Sequence, residues 1–297
     1  MSDQYARLSA QLASGLRLLP DKPEETANST LHALWHAAAG APLSASAALR
    51  APLPSLDEAG LRRLQALVEQ RLSGVPLAHL SGRQEFLGLE MLVGPEALVP
   101  RRETELLART AIALAGAPDR TADDPLLVVD LCTGCGNLAL AIADALPQAQ
   151  VVGADISEDA LVLARRNAAQ LGLQERARFQ AGDLLTPLDT PEFHGRVDLL
   201  VCNPPYISSG KVAQMDAEIA RFEPALAFDG GPLGVGILMR LIQEAPRFLR
   251  PGGWLGFEVG LGQGPSLARR LRASGAWQEV REIADDAGAT RVIVARI

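Results

Sequence analysis

The stretch of this chain best suited to hold a reacting group is Asn203-Pro204-Pro205-Tyr206. It follows the apolar run Val197 to Cys202, which predicts a buried strand that delivers the tetrapeptide at its carboxyl end. Two prolines disfavour helical conformation in the residues before them and remove two backbone donors, so the loop is rich in acceptors. An NH2 group can donate one hydrogen to the Asn203 side-chain carbonyl and another to the Pro204 backbone carbonyl. Tyr206 offers a flat aromatic face for a planar amide or base. A structural turn would account for the prolines but not for the whole tetrapeptide at this location. An amide nitrogen is a poor nucleophile because its lone pair is delocalised. No strong base is evident beside the loop, so alignment with an electrophile would supply most of the catalysis, a contribution of several kcal/mol.

The electrophile's site is suggested by Asp130-Leu131-Cys132-Thr133-Gly134-Cys135-Gly136, which follows a second buried run and opens a helix over Asn137 to Ala145. Gly134 and Gly136 allow a ligand close approach to the backbone at a strand's carboxyl end, where open parallel sheets bind ligands. Asp155 lies nineteen residues after Gly136, about the ~20 expected of a carboxylate that accepts from ribose hydroxyls. The loop lacks the dinucleotide pattern GxGxxG, because Cys132 stands at the first glycine and no third glycine follows Gly136. An acidic Asp130 would oppose a pyrophosphate but suits a cationic methionine amine or sulfonium. Asp183, in Gly182-Asp183-Leu184 after a third strand, can reach an adenine edge. Any one of these aspartates could be a helix cap or a solvated loop residue. Three at successive strand ends, with the loop, point to S-adenosylmethionine.

The elements that position these groups follow from hydrophobic periodicity. Strands over Leu126–Leu131, Val151–Ile156, Ala177–Ala181, Val197–Cys202 and Trp254–Val259 alternate with helical stretches, which predicts a parallel sheet covered on both faces. Glu279–Ala284 and Arg291–Ile297 flank a turn-rich Asp285-Asp286-Ala287-Gly288-Ala289 and predict a terminal hairpin whose last strand is reversed. Before the sheet, residues 1 to 75 carry apolar residues at helical spacing, as in Leu61, Leu64, Leu67, Val68 and Leu72, and predict four or five short helices. Asp57-Glu58 places carboxylates at a helix start. Phe86–Val93 and Ala97–Pro100 around Gly94-Pro95-Glu96 predict a connecting hairpin, Glu103–Ala115 a helix, and Pro118–Pro125 a loop.

Composition sets outer limits. The 297 residues are 48% hydrophobic and 21% charged, enough for one large and one small domain. No apolar run is long enough to span a membrane, since Leu31 to Leu49 is broken by His32, His36, Gly40, Pro42 and Ser44. The opening residues lack a secretory pattern, so a cytoplasmic protein is expected. The net charge of -7 weighs against a nucleic-acid substrate. Residues 1 to 85 hold 8 basic and 8 acidic side chains, so this excess falls in the remainder. Three cysteines, Cys132, Cys135 and Cys202, predict no disulfide framework, and the single CxxC lacks the further ligands of a metal site.

Together these motifs make the chain resemble the HemK/PrmC family of protein-(glutamine) methyltransferases, over nearly its whole length. Besides the two loops, the resemblance is carried by Gly74-Val75-Pro76-Leu77-Ala78-His79-Leu80-Ser81-Gly82 with Glu85-Phe86, and by Pro100-Arg101-Arg102-Glu103-Thr104-Glu105. Glu223-Pro224, Phe228-Asp229-Gly230-Gly231, Pro251-Gly252-Gly253 and Glu258-Val259-Gly260 with Gln263 add to it. Asn-Pro-Pro-Tyr alone is shared with nucleic-acid methyltransferases, whereas the segment before residue 105 is particular to this family. The resemblance implies an α/β fold: a seven-stranded class I, Rossmann-like sheet with a reversed last strand, over 101–297. It implies a helical substrate-recognition domain over 1–84 and a hairpin linker over 85–100. S-adenosylmethionine is the implied cofactor, lined by Asp130, Cys132, Thr133, Gly134, Cys135, Gly136, Asp155, Asp183, Leu184 and Asn203. The implied acceptor is the glutamine of a release factor's Gly-Gly-Gln motif, held by Asn203, Pro204, Pro205 and Tyr206, with Asn203, Pro204 and Tyr206 in the catalytic role. The chain departs from the family pattern at Arg102, Cys132 and Cys135, and at Pro232-Leu233-Gly234. A relative that methylates another protein amide or a small amine is the alternative these departures suggest.

Overall fold

Short polar side chains stand ahead of the early apolar runs and set where the helices begin. The computed structural model describes residues 2–18, 22–116, 125–212 and 221–297. Its first helices are α1 (Ser2–Gly15), α2 (Ala27–Ala38), α3 (Ala45–Arg50), α4 (Glu58–Leu72) and α5 (Leu77–Ser81). Thr26 and Ser29 cap α2 reciprocally, and the Asp57 carboxylate accepts the Gly60 N–H at 2.6 Å at the start of α4. The apolar faces meet in a core that includes Leu8, Leu12, Leu31, Trp35, Leu64 and Val68. Buried charge inside it is paired, with Arg71 donating to Glu25 at 3.1 Å.

The hairpin lies earlier than expected. Strand β1 (Arg83–Phe86) pairs antiparallel with β2 (Leu89–Leu92). Leu87 and Gly88, at φ +49° and +83°, form the turn, two left-handed residues whose twist matches that of a hairpin. Gly94-Pro95-Glu96 is therefore not its turn, and 97–100 forms no strand. That segment instead gives its polar groups to Glu223, which accepts from Val99 N at 3.1 Å and from Arg101 Nη2 at 2.6 Å. Residues 2–18, 22–102 and 221–224 form one compact unit, and 103–116, 125–212 and 225–297 a second. The return of 221–224 to the first unit is a feature that a linear division of the chain does not anticipate. The loop expected over 118–125 lies, up to residue 124, outside the described residues.

In the second unit α6 (Thr104–Ala115) precedes β3 (Leu126–Leu131), α7 (Asn137–Ala145), β4 (Ala149–Asp155), α8 (Glu158–Gln170) and β5 (Ala177–Ala181). Next come β6 (Val197–Cys202), β7 (Leu249–Glu258), β8 (Glu279–Ala284) and β9 (Thr290–Arg296). The sheet order is β5-β4-β3-β6-β7-β9-β8. Strands β3 to β7 pair in parallel, and β9 runs antiparallel to both neighbours. The expected seven-stranded sheet with its last strand reversed is thus the observed one. Strands β3 and β6 adjoin although α7, β4, α8 and β5 separate them in sequence, so strand order reverses at β3. A crevice opens at the carboxyl ends on either side of such a switch point, and both sequence loops sit there.

Candidate active site

Strand β3 ends in a loop whose backbone is held in the left-handed region at Cys132 (φ +55°), Gly134 (φ +54°) and Gly136 (φ +85°). This path turns the chain back over the strand end and brings Asp130 beneath it. Asp130 is fully buried. Its Oδ2 accepts from Thr133 Oγ1 at 2.5 Å and from Ala139 N at 3.1 Å, while Oδ1 is buried with no partner. Burial raises its pKa to about 7; the Thr133 and Ala139 bonds oppose that rise, and the nearby Asp155 charge adds to it.

Asp155, at the end of β4, faces the same loop. Its Oδ2 accepts from Gly134 N at 2.8 Å and its Oδ1 from Ser157 N at 2.9 Å, and burial holds its pKa above the ordinary value. The close fit requires Gly153 below it, where a Cβ would come within 2.6 Å of the Phe179 ring and 2.9 Å of Thr133 Oγ1. Asn167 steadies the loop from α8 by donating to the Cys135 carbonyl at 3.0 Å. Asp183 is engaged elsewhere: it is exposed and accepts both arms of Arg240, at 3.1 and 2.9 Å. Leu184 beside it is buried, with φ +49°.

The tetrapeptide after β6 is clamped from behind. Asn203 Nδ2 donates to Thr104 Oγ1 at 2.9 Å, and the Tyr206 hydroxyl donates to Glu258 Oε1 at 2.9 Å. Gln263 Nε2 donates to the Tyr206 carbonyl at 3.0 Å and to that of Gly234 at 3.2 Å, while its Oε1 accepts from Gly260 N at 2.9 Å. Ile207 exchanges backbone bonds with Phe228 and Gly230 at 3.0 and 2.8 Å. Gly230 is packed so closely that a Cβ there would lie 2.6 Å from the Pro205 carbonyl. The sequence shows no strong base beside this loop, and Glu258, a carboxylate that accepts the Tyr206 hydroxyl, does not supply one. It is a buried carboxylate brought in by β7, 52 residues along the chain from Tyr206. Burial raises the pKa of both Glu258 and Tyr206.

A methyltransferase-domain family model matches residues 122–258, which hold both loops. The release factor glutamine methyltransferase of Moorella thermoacetica is 37% identical over 243 residues, 81% of either chain. That of Gloeobacter violaceus is 38% identical over 246 residues, 81% of this chain and 82% of the relative. That of Xylella fastidiosa is 42% identical over 221 residues, 74% of this chain and 76% of the relative. This chain belongs to the release factor glutamine methyltransferase family. Among solved structures, the N-terminal domain of human METTL16 superposes with a TM-score of 0.53 at 18% identity, over 77% of this chain and 81% of that one. Human methyltransferase 10 domain containing protein gives 0.51 at 17%, over 70% and 88%. Those two likenesses concern the fold.

In this methyltransferase the structure joins Asp130, Thr133, Gly134 and Asp155 through hydrogen bonds, and separately joins Asn203 and Tyr206 to a buried polar cluster. Thr104, Glu258 and Gln263 received no chemical role from the sequence, although each lies in a family-like segment. Ile156, expected as the last residue of a strand, lies just past the end of β4. It follows Asp155 and is 59% exposed, an apolar surface beside that carboxylate. Among the described residues no helix is long and apolar enough to cross a membrane.

Proposed function

We propose that this methyltransferase moves the methyl group of S-adenosylmethionine to the side-chain amide nitrogen of the glutamine in a release factor's Gly-Gly-Gln motif. The observation that carries the acceptor assignment is the Asn203 amide: with Nδ2 spent on Thr104, its Oδ1 is left to accept from an incoming NH2. The cofactor, when bound, supplies an electrophilic methyl on a sulfonium. The residues present fit it. Asp130 Oδ1 is a buried acceptor lacking a donor, as an α-ammonium group or its bound water requires. Asp155 carries a carboxylate bonded to the loop at Gly134 N, where ribose hydroxyls would meet it, the Cys132 to Gly136 backbone is left-handed at three residues, and exposed Ile156 gives an adenine ring an apolar cover. Asp183 and Leu184, after β5, complete the set assigned to the cofactor.

The protein's part in the chemistry is positional. Asn203 Oδ1 and the Pro204 carbonyl accept the two hydrogens of the amide, turning its lone pair toward the crevice, and the Tyr206 ring, fixed by Glu258, backs the amide plane. Once methylated the nitrogen is strongly acidic, so one N–H proton leaves to water without a dedicated base. A release-factor substrate implies action in the cytoplasm. Mass spectrometry of a release factor after incubation with isotope-labelled cofactor tests the reading. One labelled methyl on the motif's glutamine is expected. Labelling of some other protein amide, with the release factor untouched, would retain the chemistry and discard this substrate.

A further inference from the structure

Two family-like segments, Glu103-Thr104-Glu105 and Glu258-Val259-Gly260, have no part in the chemistry above beyond supporting Asn203 and Tyr206. Both deliver buried polar side chains to the back of the acceptor loop: Thr104 and Glu258 are each 2% exposed. We propose that Thr104 and Glu258 are positioning residues that fix which face of the Asn203 side-chain amide meets the substrate. This inference rests on the amide-acceptor reading of Asn203 given above.

An asparagine side chain can present either its oxygen or its NH2 to a given neighbour, and the neighbours decide. Thr104 Oγ1 is the neighbour here, with one proton to give and lone pairs to accept. Ionised Glu258 can only accept. Its Oε1 takes the Tyr206 hydroxyl at 2.9 Å, with the Arg291 guanidinium 3.6 Å away, and its Oε2 is buried without a partner. The Thr104 hydroxyl stands against this carboxylate and favours its charged form. A buried lone pair left unpaired is costly, so the carboxylate draws the Thr104 proton. Thr104 can then only accept from Asn203, which must turn its NH2 inward and its Oδ1 outward. Were Glu258 neutral, the Thr104 proton would be released, the asparagine could reverse, and an NH2 would face an NH2.

The groups facing Glu258 are Tyr206 from the acceptor loop, Arg291 from β9, and Thr104 and Glu103 from the start of α6. Of these, Arg291, Thr104 and Tyr206 favour the carboxylate, while Glu103 and burial oppose it, burial being the largest effect. Protonation of Glu258 therefore begins at a higher pH than for an ordinary glutamate. The turnover number should fall toward acidic pH as Glu258 takes up its proton.

The test uses the whole enzyme with Thr104→Val, Thr104→Ser and Glu258→Gln, under single turnover with a release factor and saturating cofactor. Thr104→Val and Glu258→Gln should each slow transfer about 30-fold, which is ~2 kcal/mol. Thr104→Ser should recover most of the rate, and Glu258→Gln should abolish the acid limb of the pH profile. The double variant should be no slower than the slower single variant, since both act through one amide. Cofactor affinity by calorimetry should be unchanged in all of them. Should Glu258→Gln fail to fold, the valine and serine variants carry the comparison. The Asn203 side-chain amide resonances, assigned by NMR, should shift with pH in the wild type and stay fixed in Glu258→Gln. Turnover by Thr104→Val equal to wild type, or Asn203 resonances indifferent to Glu258, overturns the proposal. If the wild type methylates no amide, the functional reading falls, and the resonances alone decide the orientation.

Discussion

At the scale of single residues, two side chains separate the cofactor's needs from the acceptor's. Asn203→Ala removes the only side-chain amide of the acceptor loop and leaves one substrate N–H unpaired in a desolvated crevice. Transfer should slow by about 100-fold or more, roughly 2.7 kcal/mol of transition-state stabilisation, with circular dichroism unchanged. Single-turnover rates measure it, and near-normal turnover would remove Asn203 from the mechanism. Asp130 tests the other half. Its folded pKa of about 7 lies above the unfolded value of 3.8, so the folded state binds this proton more readily. The resulting stability is fully present below about pH 4 and is lost as pH rises through about 7. Asp130→Asn carries no such dependence, so its melting temperature should gain on the wild type between pH 5 and pH 8. The same variant should bind S-adenosylmethionine about tenfold or more weakly, because a charge-assisted bond is lost. A variant that gains no stability at pH 8 would show that Asp130 is not strained by its charge. Asp155 and the glycine loop were legible in the sequence because strand ends and their spacing are local features. Thr104 and Glu258 lie 154 residues apart, and only the finished sheet brings them to one loop, where they bond Asn203 and Tyr206.

At the scale of elements, strand type and position were legible where buried runs were long and uniform, as in β3, β5 and β6, whose observed bounds match those expected. The hairpin was displaced because its turn uses Leu87 at φ +49°, a conformation leucine seldom adopts and no propensity would suggest. The Gly94-Pro95 pair looked like the better turn, but the chain had already reversed. Helix starts were more readable, since a short acceptor side chain before an apolar run has one obvious use. Asp57 bonds the Gly60 N–H at 2.6 Å. Asp57→Ala should therefore destabilise the helical unit by about 1 kcal/mol, while Asp57→Asn, which keeps the cap, should cost less. Urea titration followed by the fluorescence of Trp35, buried in that unit's core, measures both.

At the scale of the molecule, the described residues include one core under the helices, around Trp35 and Leu64, and another on the sheet, around Leu200 and Phe257. The sheet order was not legible beyond its parallel character and its reversed last strand. Placing β9 between β7 and β8 depends on which edge the returning strand meets, a contact with no local signature. Every residue assigned to the cofactor belongs to the second unit. Scanning calorimetry should therefore resolve two transitions, and cofactor at a hundred times its Kd should raise one of them, by about 2.7 kcal/mol, leaving the other in place. A single transition that moves as a whole would mean that the two units unfold together.

Cys132 has a use outside the reaction. It is half-buried in the loop after β3, whereas Cys135 and Cys202 are buried with thiol pKa values pushed up by burial. An alkylating reagent at neutral pH should consequently mark one thiol of the folded chain first, since reaction requires an accessible thiolate. That makes the loop its own occupancy gauge. With ligand at ten times its Kd the labelling of Cys132 should slow about tenfold, tracking the fraction of unliganded protein. Peptide mapping after timed alkylation reads this out directly, and unchanged labelling in saturating S-adenosylhomocysteine would move the ligand away from Cys132.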